Sequence, residues 1–142
     1  MLTLALTAAA CGNTSSDSAA GGRTEVIGAF YPMAWLAQRV GGNDVTVTTL
    51  TRPGTEPHDL ELTPRQIVDV GRAEYVVYVK GVQPAVDEAI EEHAKDHALD
   101  ALSAVRALPA AHEEEHGHAE SASDPHLWLD PSRLATVAVT LG

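Results

Sequence analysis

His58 and His126 stand in matching surroundings. One lies in Thr-Arg-Pro-Gly-Thr-Glu-Pro-His-Asp-Leu and the other in Ser-Asp-Pro-His-Leu-Trp-Leu-Asp-Pro, each directly after a proline and shortly before a helix start. Proline and glycine stiffen such loops and fix the direction of the imidazole they carry. Two imidazoles held on rigid loops at strand ends are what a preorganised metal site needs. The plainer alternative for each is a loop histidine hydrogen-bonded to backbone. A second cluster, His112-Glu113-Glu114-Glu115-His116-Gly117-His118, matches His-Glu-x-x-His, in which two histidines one helical turn apart bind zinc and the glutamate acts as base. That chemistry needs a docked amphipathic helix. Its flanks, Leu-Pro-Ala-Ala before and Gly-His-Ala-Glu-Ser after, offer no apolar stripe, so two readings stand ahead of it: a solvated acidic loop with no function, and a flexible loop that holds zinc loosely. His93 and His97 are four apart and able to share a metal on a helix. They continue the Val86–Ile90 face and are expected instead to be partly packed near a helix C-terminus. No nucleophile triad and no Gly-rich phosphate loop is present.

The charge balance points the same way. Twenty acidic residues stand against nine Lys and Arg in 142 residues, for a formal net charge of −11, with seven histidines. Between Asp87 and Glu120 the surplus is local: ten acids against Lys95 and Arg106. Nucleic acid is a poor partner for such a chain, since phosphate binding depends on clustered Lys and Arg. A cation is the natural ligand. At 44% apolar and 20% charged, the composition is that of one globular domain and excludes a disordered or multi-span membrane chain.

The elements that must position these residues alternate. Thr24–Ala29 reads as a first strand. Met33, Leu36, Ala37 and Val40 share a helical face that Gly41-Gly42 terminates. Val45–Leu50 is a second strand, followed by a loop from Thr51 to Thr63. Thr63 with Gln66 forms a capping-box pattern, with Pro64 at the first helical position. Tyr75–Val79 is an unbroken apolar run, as in a central parallel strand covered on both faces. Pro84 opens a third helix, Ala98–Ala104 is a weak fourth strand, Pro109–Asp124 is a loop, and Asp130-Pro131 caps a last helix. Tyr31 and Trp128 are most simply core residues. The order predicts an α/β domain with a mostly parallel four-stranded sheet flanked by helices, its ligand outside the carboxyl ends of the strands.

Met1–Ala10 is a short apolar run ending in small residues, followed at once by Cys11, the single cysteine. It is too short to span a bilayer and resembles the end of a bacterial lipoprotein signal peptide. Cys11 would then be the lipid attachment site on the cell membrane, and 11–23, rich in Gly, Ser and Ala, a flexible tether. It departs from that pattern in lacking a basic n-region and in carrying Ala8 where Leu is commoner.

Gly-Ala-Phe-Tyr-Pro-Met-Ala-Trp-Leu-Ala, then Pro-Gly-Thr-Glu-Pro-His-Asp-Leu, a His/Glu-rich insert and Asp-Pro-His-Leu-Trp-Leu-Asp-Pro follow one another in that order. Together they resemble the N-terminal lobe of the zinc and manganese substrate-binding lipoproteins of bacterial ABC transporters. The resemblance implies a two-lobed α/β fold joined by a long helix. It places the first two metal ligands on His58 and His126, and the remaining ones, a histidine or glutamate and then a carboxylate, in a second lobe. It also implies a metal-collecting role for the loop bearing His112, His116 and His118, a place for Tyr31 and Trp128 lining the cleft near the metal, and delivery of the metal to a permease and its ATPase. The lobe is expected over 24–130, with the His/Glu-rich loop at 110–124 and the start of the linking helix at 131–142, where the chain is expected to break off.

Zinc is favoured over manganese because imidazole suits zinc, whereas carboxylate and water suit manganese. Two other readings compete with a zinc receptor: a small zinc hydrolase using His112, Glu113 and His116, and an adhesion lipoprotein stabilised by its metal.

Overall fold

The computed structural model describes residues 22–109 and 123–142. Four strands and four α-helices follow in chain order: β1 Thr24–Gly28, α1 Tyr31–Gly41, β2 Val45–Thr49, α2 Pro64–Arg72, β3 Tyr75–Tyr78, α3 Pro84–His93, β4 Ala98–Asp100 and α4 Pro131–Leu141. The strands form one sheet in the order β2-β1-β3-β4, with every pairing parallel. Val26 stands opposite both Val47 and Tyr75, and Val77 opposite Leu99. This is the predicted α/β sheet. From β1 the chain steps one way to β2 and then returns past β1 to β3 and β4. Right-handed crossovers in opposite directions put α1 on one face and α2 and α3 on the other. The contacts agree, with α1 against α4 and α2 against α3.

The core follows from that layering. Val76 and Val77 are consecutive, so they point to opposite faces, yet both are fully buried. Met33, Leu36 and Ala37 cover one side from α1, and Val86, Ala89 and Ile90 the other from α3. Gly28 ends β1 because a Cβ there would collide with the backbone of Ala34 in the first turn of α1. The Thr63–Gln66 capping box forms in full and starts α2.

Two expectations about these elements are corrected. The fourth strand stops at Asp100, not Ala104: the Asp100 carboxylate accepts the Leu102 N–H at 3.0 Å, and Ser103 Oγ donates to the Asp100 carbonyl at 2.6 Å. These local bonds close a 3-10 turn over Ala101–Ala104. Helix α3 ends at His93, because Ala94 leaves helical geometry at φ −138° and ψ 13°, and Lys95–His97 form a separate 3-10 turn. His93 and His97 therefore do not share one helical face. At the base of the expected loop of Pro109–Asp124, Pro109 and Ser123 make an antiparallel bridge, and Asp124 N donates to Leu108 O at 2.8 Å. The chain leaves and re-enters the lobe at one place. Cys11, the run 1–10, and the cluster of His112, Glu113, His116 and His118 lie outside the described residues.

Candidate metal centre

The strand order reverses at β1 and β3, and the loops leaving the carboxyl ends there diverge, which opens the usual binding crevice of such sheets. His58 reaches it from the β2–α2 loop. Pro57–Asp59 form a 3-10 turn, and the Glu56 carboxylate accepts the His58 backbone N–H at 3.4 Å. Glu56 therefore caps the turn. His58 Nδ1 lies 3.0 Å from the carbonyl of Val82, in the β3–α3 loop. A carbonyl only accepts, so Nδ1 carries the proton and Nε2 the lone pair.

His126 reaches the crevice just before a 3-10 turn at Leu127–Leu129. Leu127 is fully buried and anchors that turn. Asp124 Oδ1 accepts both the His126 backbone N–H at 2.9 Å and Nδ1–H at 2.8 Å. Those two bonds, the backbone one first, hold the Asp124 carboxyl below the usual carboxylate range. It is a charged acceptor, and Nε2 is again left with the lone pair. This is the arrangement in which a carboxylate orients a metal-binding imidazole.

The two rings lie side by side, tilted, with centroids 5.8 Å apart and planes at 59°. With zinc about 2.0–2.1 Å from each nitrogen and each ring centre about 1.1 Å further on, a tetrahedral angle puts the centres roughly 5 Å apart. The observed spacing is a small side-chain adjustment from that. Behind His126 stands Trp128, at 5.1 Å, which packs edge-on against buried Phe30 at 4.8 Å. Phe30 follows directly on β1, so the aromatic pair ties the His126 turn to the centre of the sheet.

Trp128 is half-buried and does belong to the core margin. Tyr31 does not: it is 72% exposed, because it begins α1 on the solvent side, and with Phe30, Thr51 and Pro57 it lines a hollow beside the His58 loop. His93 is partly exposed beside Glu92, at 3.5 Å, and His97 Nε2 is buried with no hydrogen-bond partner among the described residues. Among the described residues no group of three or more His, Cys, Asp and Glu converges. Two participants went unnoticed in the sequence. Asp124 carries a readable signal, an acidic residue two before a histidine, the spacing of an Asx turn. The Val82 carbonyl carries none.

The family model for the zinc-uptake complex component A, periplasmic (ZnuA), matches residues 26–142. This chain belongs to the ZnuA family. Among its relatives, the high-affinity zinc uptake system protein ZnuA of Bacillus subtilis (strain 168) is 33% identical over 139 residues, spanning 89% of this chain and 43% of that protein. The zinc-binding lipoprotein AdcA of Streptococcus pneumoniae serotype 4 (strain ATCC BAA-334 / TIGR4) is 30% identical over 128 residues, spanning 84% of this chain and 26% of that one. A crystal structure of Zn(II)-bound AdcA from Streptococcus pneumoniae superposes with a TM-score of 0.70 at 25% identity, covering 84% of this chain and 25% of that one. The iron-binding protein YfeA of Yersinia pestis is 30% identical over 127 residues, spanning 89% of this chain and 39% of that protein. The chain thus spans between about a quarter and under half of the length of these relatives.

Proposed function

We propose that this chain is the metal-facing first lobe of an extracytoplasmic zinc receptor, which captures the ion through His58 and His126 and hands it to an ABC-transporter permease worked by its ATPase. It is a binding protein, not an enzyme. The observation that carries the reading is the adjacent pair of imidazoles, each with Nδ1 bonded to a fixed acceptor so that Nε2 is free to ligate. The donor set selects zinc over manganese, since both placed donors are imidazoles. The relatives named for zinc support that choice, while the relative named for iron leaves the decision to the donors. Membership of the ZnuA family favours a receptor over a hydrolase built on His112, Glu113 and His116, and over a metal-stabilised adhesion lipoprotein. In this reading His112, His116 and His118 collect zinc loosely near the main pair, 11–23 is the tether, and Cys11 carries the lipid that anchors it to the membrane.

Two imidazoles make half of a closed tetrahedral site. The 142-residue chain is therefore expected to bind zinc weakly, and less in acid, where protons compete for the same nitrogens. Titration calorimetry with zinc on the chain, on His58→Ala and on a deletion of 110–122 tests this. Binding lost in His58→Ala and kept in the deletion is the expected result. Nanomolar binding that survives His58→Ala would move the site to the His112–His118 cluster.

A further inference from the structure

His58 is oriented by a carbonyl, and the place of that carbonyl is set by side chains far from any metal donor. Gln83 follows Val82 in the β3–α3 loop and is 2% exposed; Thr51, at the start of the loop that carries His58, is 8% exposed. Gln83 Nε2 donates to Thr51 Oγ1 at 2.9 Å, and Thr51 Oγ1 donates to the carbonyl of Ala29 at 3.0 Å. A hydroxyl has one proton. Having accepted from the amide, Thr51 directs that proton to Ala29, so the relay runs in a single direction. It joins three segments that emerge side by side from the sheet: the end of β1, the His58 loop and the Val82 loop.

A buried amide and hydroxyl are costly unless paired, and here both are used to tie one loop to the other. The Val82 side of the crossing is pinned a second time, from α3 and from the end of β4. Asp87 Oδ2 accepts Gly81 N–H at 2.9 Å and Asp100 Oδ1 accepts Lys80 N–H at 3.1 Å. Gly81 itself sits at φ 85°, which favours glycine. Those clamps fix the turn against α3 and β4. The Gln83–Thr51 bond fixes it against the loop that bears the ring.

We propose that Gln83 and Thr51 are positioning residues for metal capture: their buried relay holds the Val82 carbonyl against the His58 loop and so keeps His58 in the Nδ1–H form with Nε2 as the donor. This rests on the reading of His58 as a ligand, but its first readout needs no metal. In the 15N-labelled, metal-free chain, the ring-nitrogen shifts of His58 and His126 report which nitrogen carries the proton. Both are expected as Nδ1–H in the parent. Thr51→Val and Gln83→Met move His58 to a mixture of tautomers, leave His126 unchanged, and weaken zinc binding by about 10-fold to 100-fold, the usual effect of losing an outer partner. Thr51→Ser, which keeps the hydroxyl, restores both. Val137→Ala serves as a control, since it empties a fully buried site on α4 and lowers stability without touching the relay.

The proposal is overturned if folded Thr51→Val and Gln83→Met keep His58 wholly Nδ1–H with parental zinc affinity, or if Val137→Ala shifts His58 as much as they do. Should Thr51→Val not fold, Gln83→Asn, one methylene too short to reach Thr51, carries the same test with the same overturning result. If the tautomer responds but His58→Ala leaves zinc binding intact, the receptor reading falls and takes the capture half of the proposal with it, while the positioning of the ring is supported.

Discussion

The two histidine loops solve one problem in different ways. His126 is oriented by Asp124, a side chain two residues earlier that takes the backbone N–H and the ring N–H on one oxygen. His58 is oriented by a backbone carbonyl 24 residues away, on the far side of a strand and a helix. The local solution needs a short stretch of chain in the right turn. The distant one exists only when β1, β3 and both loops are assembled. The difference teaches that matching sequence motifs do not imply matching mechanical support: one ring is disarmed by a point change beside it, the other by loosening a crossing of loops.

The largest effect that sharpens this comparison is removal of a ring. His58→Ala and His126→Ala should each abolish zinc binding at the pair in calorimetric titration, because a single imidazole has no partner among the described residues. Equal affinity in either variant and the parent would end the idea of a shared ion. Next is Asp124→Ala, which should weaken zinc binding by about 10-fold to 100-fold by freeing the His126 ring. Asp124→Asn, whose amide oxygen still accepts, should lose less. No single side-chain deletion removes the Val82 carbonyl, so the His58 side can be reached only through its supports.

A smaller effect is expected at the start of α2. Thr63→Ala removes the cap that begins the helix after the His58 loop and should cost about 1 kcal/mol in denaturant unfolding. Zinc affinity should barely move, since the cap lies beyond the ring. A large loss of affinity would show that α2 takes part in holding His58.

The smallest effects are in pH dependence, and here the two regions have opposite signs. Asp130, which starts α4 behind the His126 turn, is held below its ordinary value of 3.8 by bonds from Ser132, side chain first and then backbone. Its contribution is present above 3.8 and is lost as pH falls through the lower folded value. Asp87, which pins Gly81 beside Val82, is raised above 3.8, chiefly by burial. The folded state there keeps its proton longer, so stability falls as pH climbs from 3.8 through the raised value. Acid titration followed by Trp fluorescence should show Asp130→Asn flattening the acid loss and Asp87→Asn removing the decline on the other side. Changes of the same sign in both variants would contradict this assignment.

Much of this was legible in the chain itself. Apolar runs mark β1 and β3, the Val/Thr alternation marks β2 and period-3.6 faces mark helices, while the Thr63–Gln66 box starts α2 and Asp130-Pro131 starts α4, because caps and amphipathic faces are local or regularly spaced properties. Elements failed where side chains competed with the backbone. Asp100 and Ser103 turn the fourth strand into a 3-10 turn after three residues, and Ala94 breaks α3 before His97.

The sequence by itself carried the two proline-stiffened histidine loops and the α/β order, since turns, caps and amphipathic faces are set by residues close together in the chain. Only the tertiary structure decided that the rings come within 5.8 Å, that a Val82 carbonyl sets the proton on His58, and that Thr51 and Gln83 join the two loops. The physical reason is that a backbone carbonyl has no residue type to read. Hydrogen bonds between segments 24 and 32 residues apart come into being when packing across the sheet brings those segments together.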